Sequence, residues 1–495
     1  MHSSTPAPPT VPARRPLPHV LVVGGGIAGL AAAARLSGAD GGPPRARVTL
    51  AEAAPRLGGK LLAAEVGGVR VDLGAESILA RRPEAVELAR AVGLGEALQP
   101  PATARAAIWT RGALRPLPTG QLMGVPGDLD ALAASGVLSA EGLARVAQEP
   151  ELPPVAPGVD VSVGEYVGAR LGREVVDRLV EPLLGGVYAG HADRISMRAA
   201  VPQLLALAQR GGSLVEGVHA LQAGARANPA PVFTGIDGGV GRLPEAVAAA
   251  CRAAGADLLT DTPVTGLRRT PDGWSCVVGG RPLTPDAVVL AVPAPAAAAL
   301  LADLSPAAAA ELAGVEYAGM ALVTLLFHRA ELGELPGSGL LVPPVDGRMI
   351  KASTFSSNKW GWLAESAPDS FVLRTSVGRQ GDERDLDRED AELVAGSLAD
   401  LRAAAGITAL PYASTVTRWR AGLPQYPVGH LDRVERIEKL VAELPGLALC
   451  GALHQGVGIP ACVASGRRAA DLVAEGLARE GLVRAALPPE GTMDA

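Results

Sequence analysis

The chain has 495 residues, 48% of them apolar but only 3% aromatic, and a formal net charge of −6. That length exceeds a single hydrophobic core, so two or more lobes built on Ala, Val and Leu are expected. The acidic balance gives no electrostatic reason for nucleic-acid binding, and no block of like charge marks an interaction tail.

Met1 to Pro18 is rich in Pro, Ser and Ala, and Arg14 and Arg15 precede no continuous apolar run. It reads as a disordered extension over 1–18 rather than a signal peptide. Cys251, Cys276, Cys450 and Cys462 form no C-x-x-C pair and no metal spacing, so buried thiols, no metal and a cytoplasmic chain are expected. Val20 to Ala34 and Ala287 to Ala302 are apolar but interrupted by Gly or Pro. Both fall short of the ~18 residues a spanning helix needs. Peripheral membrane contact stays open, as does the choice between monomer and homodimer.

His19 to Val23 predicts a buried strand, Gly29 to Leu36 the helix it feeds, and Arg47 to Glu52 a second strand. This βαβ unit opens a doubly wound α/β domain. Val69 to Leu73 predicts a short strand leading into a turn at Gly74 to Ser77. From Pro83 to Gly224 the periods are helical, as at Glu84 to Val92 and Val163 to Leu184, which suggests an inserted helical domain over 83–234. Strand-like runs return at Val264, Trp274 to Val278 and Ala287 to Val292. Glu316 to Phe327, Gly339 to Val342 and Phe371 to Val377 predict a further, mixed sheet within 299–439. Leu447 to Leu453 predicts a last strand and Ala464 to Leu477 a closing helix, with a flexible tail over 481–495. The doubly wound domain is then discontinuous, over 19–82, 235–298 and 440–480.

Gly24-Gly25-Gly26-Ile27-Ala28-Gly29 places G-x-G-x-x-G between the first strand and helix. The first glycine permits the tight turn, the second lets backbone approach a pyrophosphate, and the third allows close helix–strand packing. The helix N-terminus adds free N–H groups and partial positive charge. Glu52, 23 residues beyond Gly29, ends the second strand where a carboxylate accepts both ribose hydroxyls. Next, Glu52-Ala53-Ala-Pro-Arg56-Leu-Gly58-Gly59-Lys60 keeps the chain against the dinucleotide, with Arg56 and Lys60 available for phosphate charge. That continuation favours FAD over NAD and resembles the amine-oxidase and protoporphyrinogen-oxidase superfamily of flavoproteins. A second Gly-rich turn, Cys450-Gly451 through His454 to Gly456-Val457-Gly458-Ile459-Pro460, precedes the closing helix. In that superfamily such a turn aims a helix N-terminus at the flavin ring. His454 is either a packed loop residue or a base.

Three further stretches resemble signatures of the bacterial protoporphyrinogen/coproporphyrinogen III oxidase family. They are Asp72-Leu-Gly74-Ala75-Glu76-Ser77 with Arg81-Arg82-Pro83, Leu184 to Ser196 around Tyr188, and Trp419 to His430. The resemblance implies noncovalent FAD held by Gly24, Gly25, Gly26, Ile27, Ala28, Gly29, Glu52, Ala53, Arg56, Gly59, Lys60, Gly74, Ala75, Glu76, Ser77, Val264, Trp419, Val457, Gly458 and Ile459. Arg81 is a candidate for a substrate propionate and Tyr188 for the slot wall. Two positions depart from the family pattern, Ile78 where an aromatic is usual and His191 where an acid is usual.

The implied reaction removes six electrons from a porphyrinogen, with flavin as hydride acceptor and O₂ reduced to H₂O₂. It needs no strong base, and the sequence offers neither a Ser/His/Asp set nor paired carboxylates. The excess of Arg over Lys marks a GC-rich genome. With the Gly-Ala-Glu-Ser signature of the soluble bacterial type, it points to coproporphyrinogen III, in haem biosynthesis, over protoporphyrinogen IX. Transient contact with the next haem-pathway enzyme is a corollary. The alternatives are an amine oxidase on the same fold, with Lys351 or Lys359 near the flavin, or a flavin-binding scaffold without activity.

Overall fold

The structure, a computed structural model, describes residues 17–226 and 231–486. Most of the expected N-terminal extension, and residues 487–495 of the expected tail, lie outside the described residues.

A five-stranded parallel sheet forms the first layer. Strand β1 (His19–Val23) is apolar along nearly its whole length and buried throughout, as a strand covered on both faces must be. It is flanked by β2 (Arg47–Ala51) on one side and Ala287–Leu290 on the other, with Asp257–Leu259 and Leu447–Leu449 at the edges. Helix α1 (Ile27–Ser37) is so rich in Ala and Leu that ten of its residues are buried. The closing helix Ile459–Ala486 crosses it tightly: a Cβ on Gly466 would lie 2.1 Å from the Ala28 carbonyl oxygen.

The second layer is a seven-stranded mixed sheet. Its strands include β3 (Tyr317–His328), β4 (Ile350–Thr354), β5 (Ser370–Val377) and β6 (Ala413–Pro424), in the order β6-β3-β5-β4. Gly339–Leu341, Ala106–Thr110 and Ala113–Pro116 continue it. The last two correct the reading of 83–224 as helical, because Ala106–Thr110 pairs in parallel with Gly339–Leu341. One face of this sheet packs on helix Asp390–Ala405 through Val323, Leu325, Leu373 and Leu393. The helical region forms its own core around Val163, Val176, Leu184 and Leu204.

Other boundaries differ from expectation for local reasons. Val163 to Leu184 is not one helix: Gly172 (φ +93°) ends the first piece, and a π-turn at Val176–Val180 leads into α2 (Glu181–Tyr188). The closing helix starts at Ile459, not Ala464, since Pro460 sits in the first turn, where its missing N–H is harmless. It also runs on through residues 481–486, which were read as flexible tail. Among the described residues, no helix is long and apolar enough to cross a membrane. Nor does any group of three or more His, Cys, Asp or Glu side chains there stand ready to hold a metal.

Candidate functional site

The three fingerprint glycines each meet a different steric demand. Gly24 has φ +105°, and a Cβ there would meet the Ala291 carbonyl oxygen at 2.7 Å. At Gly29 a Cβ would lie 2.0 Å from the Gly24 carbonyl oxygen, so only glycine lets α1 start this close to β1. A Cβ on Gly26 meets nothing within 4 Å. That open space lies at the N-cap of α1, where the first-turn N–H groups have no intrahelical partner. The cradle therefore fits a diphosphate brought against backbone, as FAD requires.

Glu52 follows β2 directly. Its carboxylate accepts from the Gly25 N–H at 2.6 Å and the Ala54 N–H at 2.8 Å, which fixes it beside the glycine turn. Ala53, next to it, is exposed. The segment leading to Val264 is held against this corner, with Thr262 N donating to Glu52 O and Asp261 N to Ala54 O. Gly58 N donates to Gly25 O at 2.8 Å, so the loop after Glu52 lies along the fingerprint, and a Cβ on Gly59 would stand 3.2 Å from the Gly26 Cα.

Arg56 bends back onto its own loop, donating to the Gly59 carbonyl at 2.6 Å, with its guanidinium 5.8 Å from the Trp419 ring centroid. Lys60 is half-buried, its ammonium makes no hydrogen bond among the described residues, and burial lowers its pKa. An uncommitted cation beside the glycine loops fits an anionic cofactor.

The Gly74 loop joins the two layers. Trp419 on β6 donates its indole N–H to the Leu73 carbonyl at 3.1 Å. Arg374 on β5 donates to the Asp72 and Gly74 carbonyls at 2.7 and 2.9 Å. A Cβ on Gly74 would lie 2.0 Å from Lys60 O, while Ala75 N donates to that oxygen. Glu76 is buried between Arg374 (3.0 Å) and Lys359 (2.8 Å), and Lys359 also donates to Ser77 Oγ at 2.8 Å. Burial alone would raise the Glu76 pKa, but the two cations hold it down at about 2. Glu76 thus acts as a clamp within the protein.

The second Gly-rich turn is tied down by a residue the sequence did not single out. Tyr426 donates its phenol O–H to the Ala452 carbonyl and accepts from the Gly456 N–H at 3.0 Å. It stacks on His430 at 4.0 Å and packs against Tyr188 at 5.6 Å. Val457, Gly458 and Ile459 follow at the start of the closing helix, where Cys462 N donates to Gly458 O. His454 is buried and its Nδ1 lies 3.1 Å from Glu438, within the protein's own network. All four cysteines are buried and unpaired, and burial raises their pKa values.

Of the two substrate candidates, Tyr188 is buried in the helical core at the end of α2, and burial pushes its pKa up to about 12. Arg81 is exposed. Its neighbour Arg82 points at the second turn, 3.9 Å from where a Gly456 Cβ would stand. His191 bonds Glu181 at 2.9 Å and the Gln380 carbonyl at 2.8 Å.

Cross-strand register defines a wall between these parts. Trp419 lies opposite Met320, Thr417 and Ser376 opposite Leu322, and Ala352 opposite both Ser376 and Leu341. Residues directly opposite share a face. Trp419 and Arg374 show that this face looks at the Gly74 loop. All of these wall residues are half-buried, and at the far end Leu341 meets Gly186 of α2, with the exposed Val187 next in the helix.

Fold and cradle together define an FAD-dependent oxidase. The family model of flavin containing amine oxidoreductases matches residues 27–474. The chain is 36% identical over 461 residues to a coproporphyrinogen III oxidase of Mycobacterium leprae, covering 92% of this chain and 98% of that protein. Its identity to the coproporphyrinogen III oxidase of Bacillus subtilis is 32%, covering 91% and 97%. A crystal structure of a putative protoporphyrinogen oxidase from Exiguobacterium superposes with a TM-score of 0.82 at 34% identity, covering 92% of this chain and 99% of that one. The chain belongs to the flavin containing amine oxidoreductase family.

Proposed function

We propose that this protein oxidises coproporphyrinogen III to coproporphyrin III, a six-electron step of haem biosynthesis. The observation that carries the reading is the identity to proteins named coproporphyrinogen III oxidase, which runs over nearly the whole length of both chains. The geometry supports it. A macrocycle needs a broad apolar wall, and Met320, Leu322, Ala352 and Leu341 supply one beside Trp419.

Bound FAD would accept hydride from a bridging carbon and pass the electrons to O₂, giving H₂O₂. The chain's part is to bind and orient. Gly24 to Gly29 and Glu52 would hold the dinucleotide, with the carboxylate on the ribose. Lys60 would offset phosphate or flavin charge. The start of the closing helix at Val457 to Ile459 would favour negative charge on the flavin. Arg81 remains a candidate for a propionate at the rim.

Parallel steady-state assays of coproporphyrinogen III and protoporphyrinogen IX, following porphyrin fluorescence and peroxide, test the proposal. The expected result is a higher kcat/KM for coproporphyrinogen III, with three H₂O₂ released per porphyrin. Preference for the divinyl substrate would reverse the substrate assignment. Turnover of amines with none of porphyrinogens would overturn the reading altogether.

A further inference from the structure

At one end of the sheet lie two buried basic residues, Lys351 on β4 and Arg379 just beyond β5, only 5% and 8% exposed, and burial together with the Arg379 charge lowers the Lys351 pKa to about 7. Lys351 Nζ donates to the Gly378 carbonyl at 2.7 Å, and Arg379 Nη2 to the Val342 carbonyl at 2.9 Å. Among the described residues neither forms an ion pair; Glu181 and Asp382 act on Arg379 only through space. The Arg379 Nε–H is buried with no partner. An ammonium has three donors and a guanidinium five, so most of this donor capacity is unspent. Burying like charges together is unfavourable unless an anion offsets them, and Glu181 and Asp382 do so for Arg379 only at a distance, with no hydrogen bond to its guanidinium.

The position suits a substrate group. Trp419 faces Met320, and a Cβ on Gly378 would stand 3.4 Å from the Met320 Cα. Trp419 and Gly378 are therefore two strand spacings apart, about 10 Å. Arg379 Nε lies 3.9 Å from where a Gly185 Cβ would be, on α2. The same arginine, with Gly378 and Arg348, also borders a cavity of about 690 Å³ on the side of helix Asp390–Ala405, where Asp382, Asp385 and Glu392 share the lining.

We infer that Lys351 and Arg379 form a carboxylate-binding subsite that receives a propionate of the tetrapyrrole. The inference rests on the reading of the site given above. The guanidinium fork suits two parallel bonds to a carboxylate, and the ammonium adds a point charge. The subsite bears on specificity, because coproporphyrinogen III carries two more propionates than protoporphyrinogen IX.

The test titrates FAD-loaded enzyme with coproporphyrin III and with its tetramethyl ester, following fluorescence. Arg379→Met should weaken binding of the tetra-acid by about tenfold or more, the usual effect of losing a charged hydrogen bond. Lys351→Met should act in the same direction, and neither variant should change binding of the ester. Should Arg379→Met fail to retain flavin, Arg379→Lys carries the test, since it keeps the charge but loses the fork and should bind the tetra-acid several-fold less tightly. Tetra-acid binding unchanged from wild type in the flavin-loaded variants would overturn the subsite, as would equal loss for tetra-acid and ester. Failure of the underlying reading looks different: the wild-type enzyme itself would turn over no porphyrinogen.

Discussion

Glu76 shows how much a single residue can depend on partners far away in sequence. Its carboxylate sits between Lys359 and Arg374, all three largely withdrawn from water. Replacing it by Gln would leave two buried cations without their counter-charge. Removing one partner of a buried ionic network costs roughly 3 kcal/mol or more. Glu76→Gln should therefore lower the urea midpoint clearly, and an unchanged midpoint would show the pair to be dispensable. The pH dependence follows from the same charges. A carboxyl held at about 2 in the folded state, against an ordinary 4.5, contributes stability that is present above pH 4.5. That contribution falls away as pH drops from 4.5 towards 2, and in Glu76→Gln the acid loss attributable to this group should vanish. The sequence made the Gly24 to Gly29 fingerprint legible because each glycine answers to atoms close by or to a strand in regular register. It did not disclose the Glu76 network, whose cations lie about 300 residues away, Arg374 on the mixed sheet and Lys359 in the short helix Ser356–Lys359.

The turn between Cys450 and the closing helix makes a similar point for a whole element. Its glycines and the helix after it were readable as a pattern, but what holds its shape is Tyr426, on the segment after β6. The phenol oxygen bridges Ala452 O and Gly456 N. Tyr426→Phe keeps the stacking on His430 and removes only that bridge. Removing that partner from two part-buried backbone groups costs about 1 kcal/mol. The variant should melt earlier and bind FAD more weakly, as read by equilibrium dialysis. Unaltered FAD affinity would mean the turn is set by the helix alone. Misreadings at this scale share a cause. Ala106–Thr110 is too short to announce a strand against helical surroundings, and its place in the sheet comes from pairing with Gly339–Leu341, more than 200 residues away, beside its local hairpin partner Ala113–Pro116. Ile459 and Pro460 group with the Gly-rich turn in the sequence although they stand inside the first helical turn. Short apolar runs are ambiguous until their tertiary partners are known.

For the whole molecule, the parallel sheet gathers strands from residues 19–51, 257–290 and 447–449, so no contiguous piece of chain contains it. The order of strands and glycine turns made a doubly wound domain readable, while its junction with the mixed sheet was not. That junction includes Trp419 and Arg374 reaching across to the Leu73, Asp72 and Gly74 carbonyls, the Glu76 ion pairs, and Val71 and Leu73 packed against Leu326 and Val372. Because the candidate cofactor contacts come from both layers, FAD should stabilise them as one unit. A ligand at 100 times its Kd adds about 2.7 kcal/mol to a folded state that binds it. Calorimetry on flavin-stripped protein with increasing FAD should show a single transition moving upward. If two transitions appear and only one responds, the layers unfold independently, and the Trp419 and Arg374 contacts do not couple the mixed sheet to the flavin cradle.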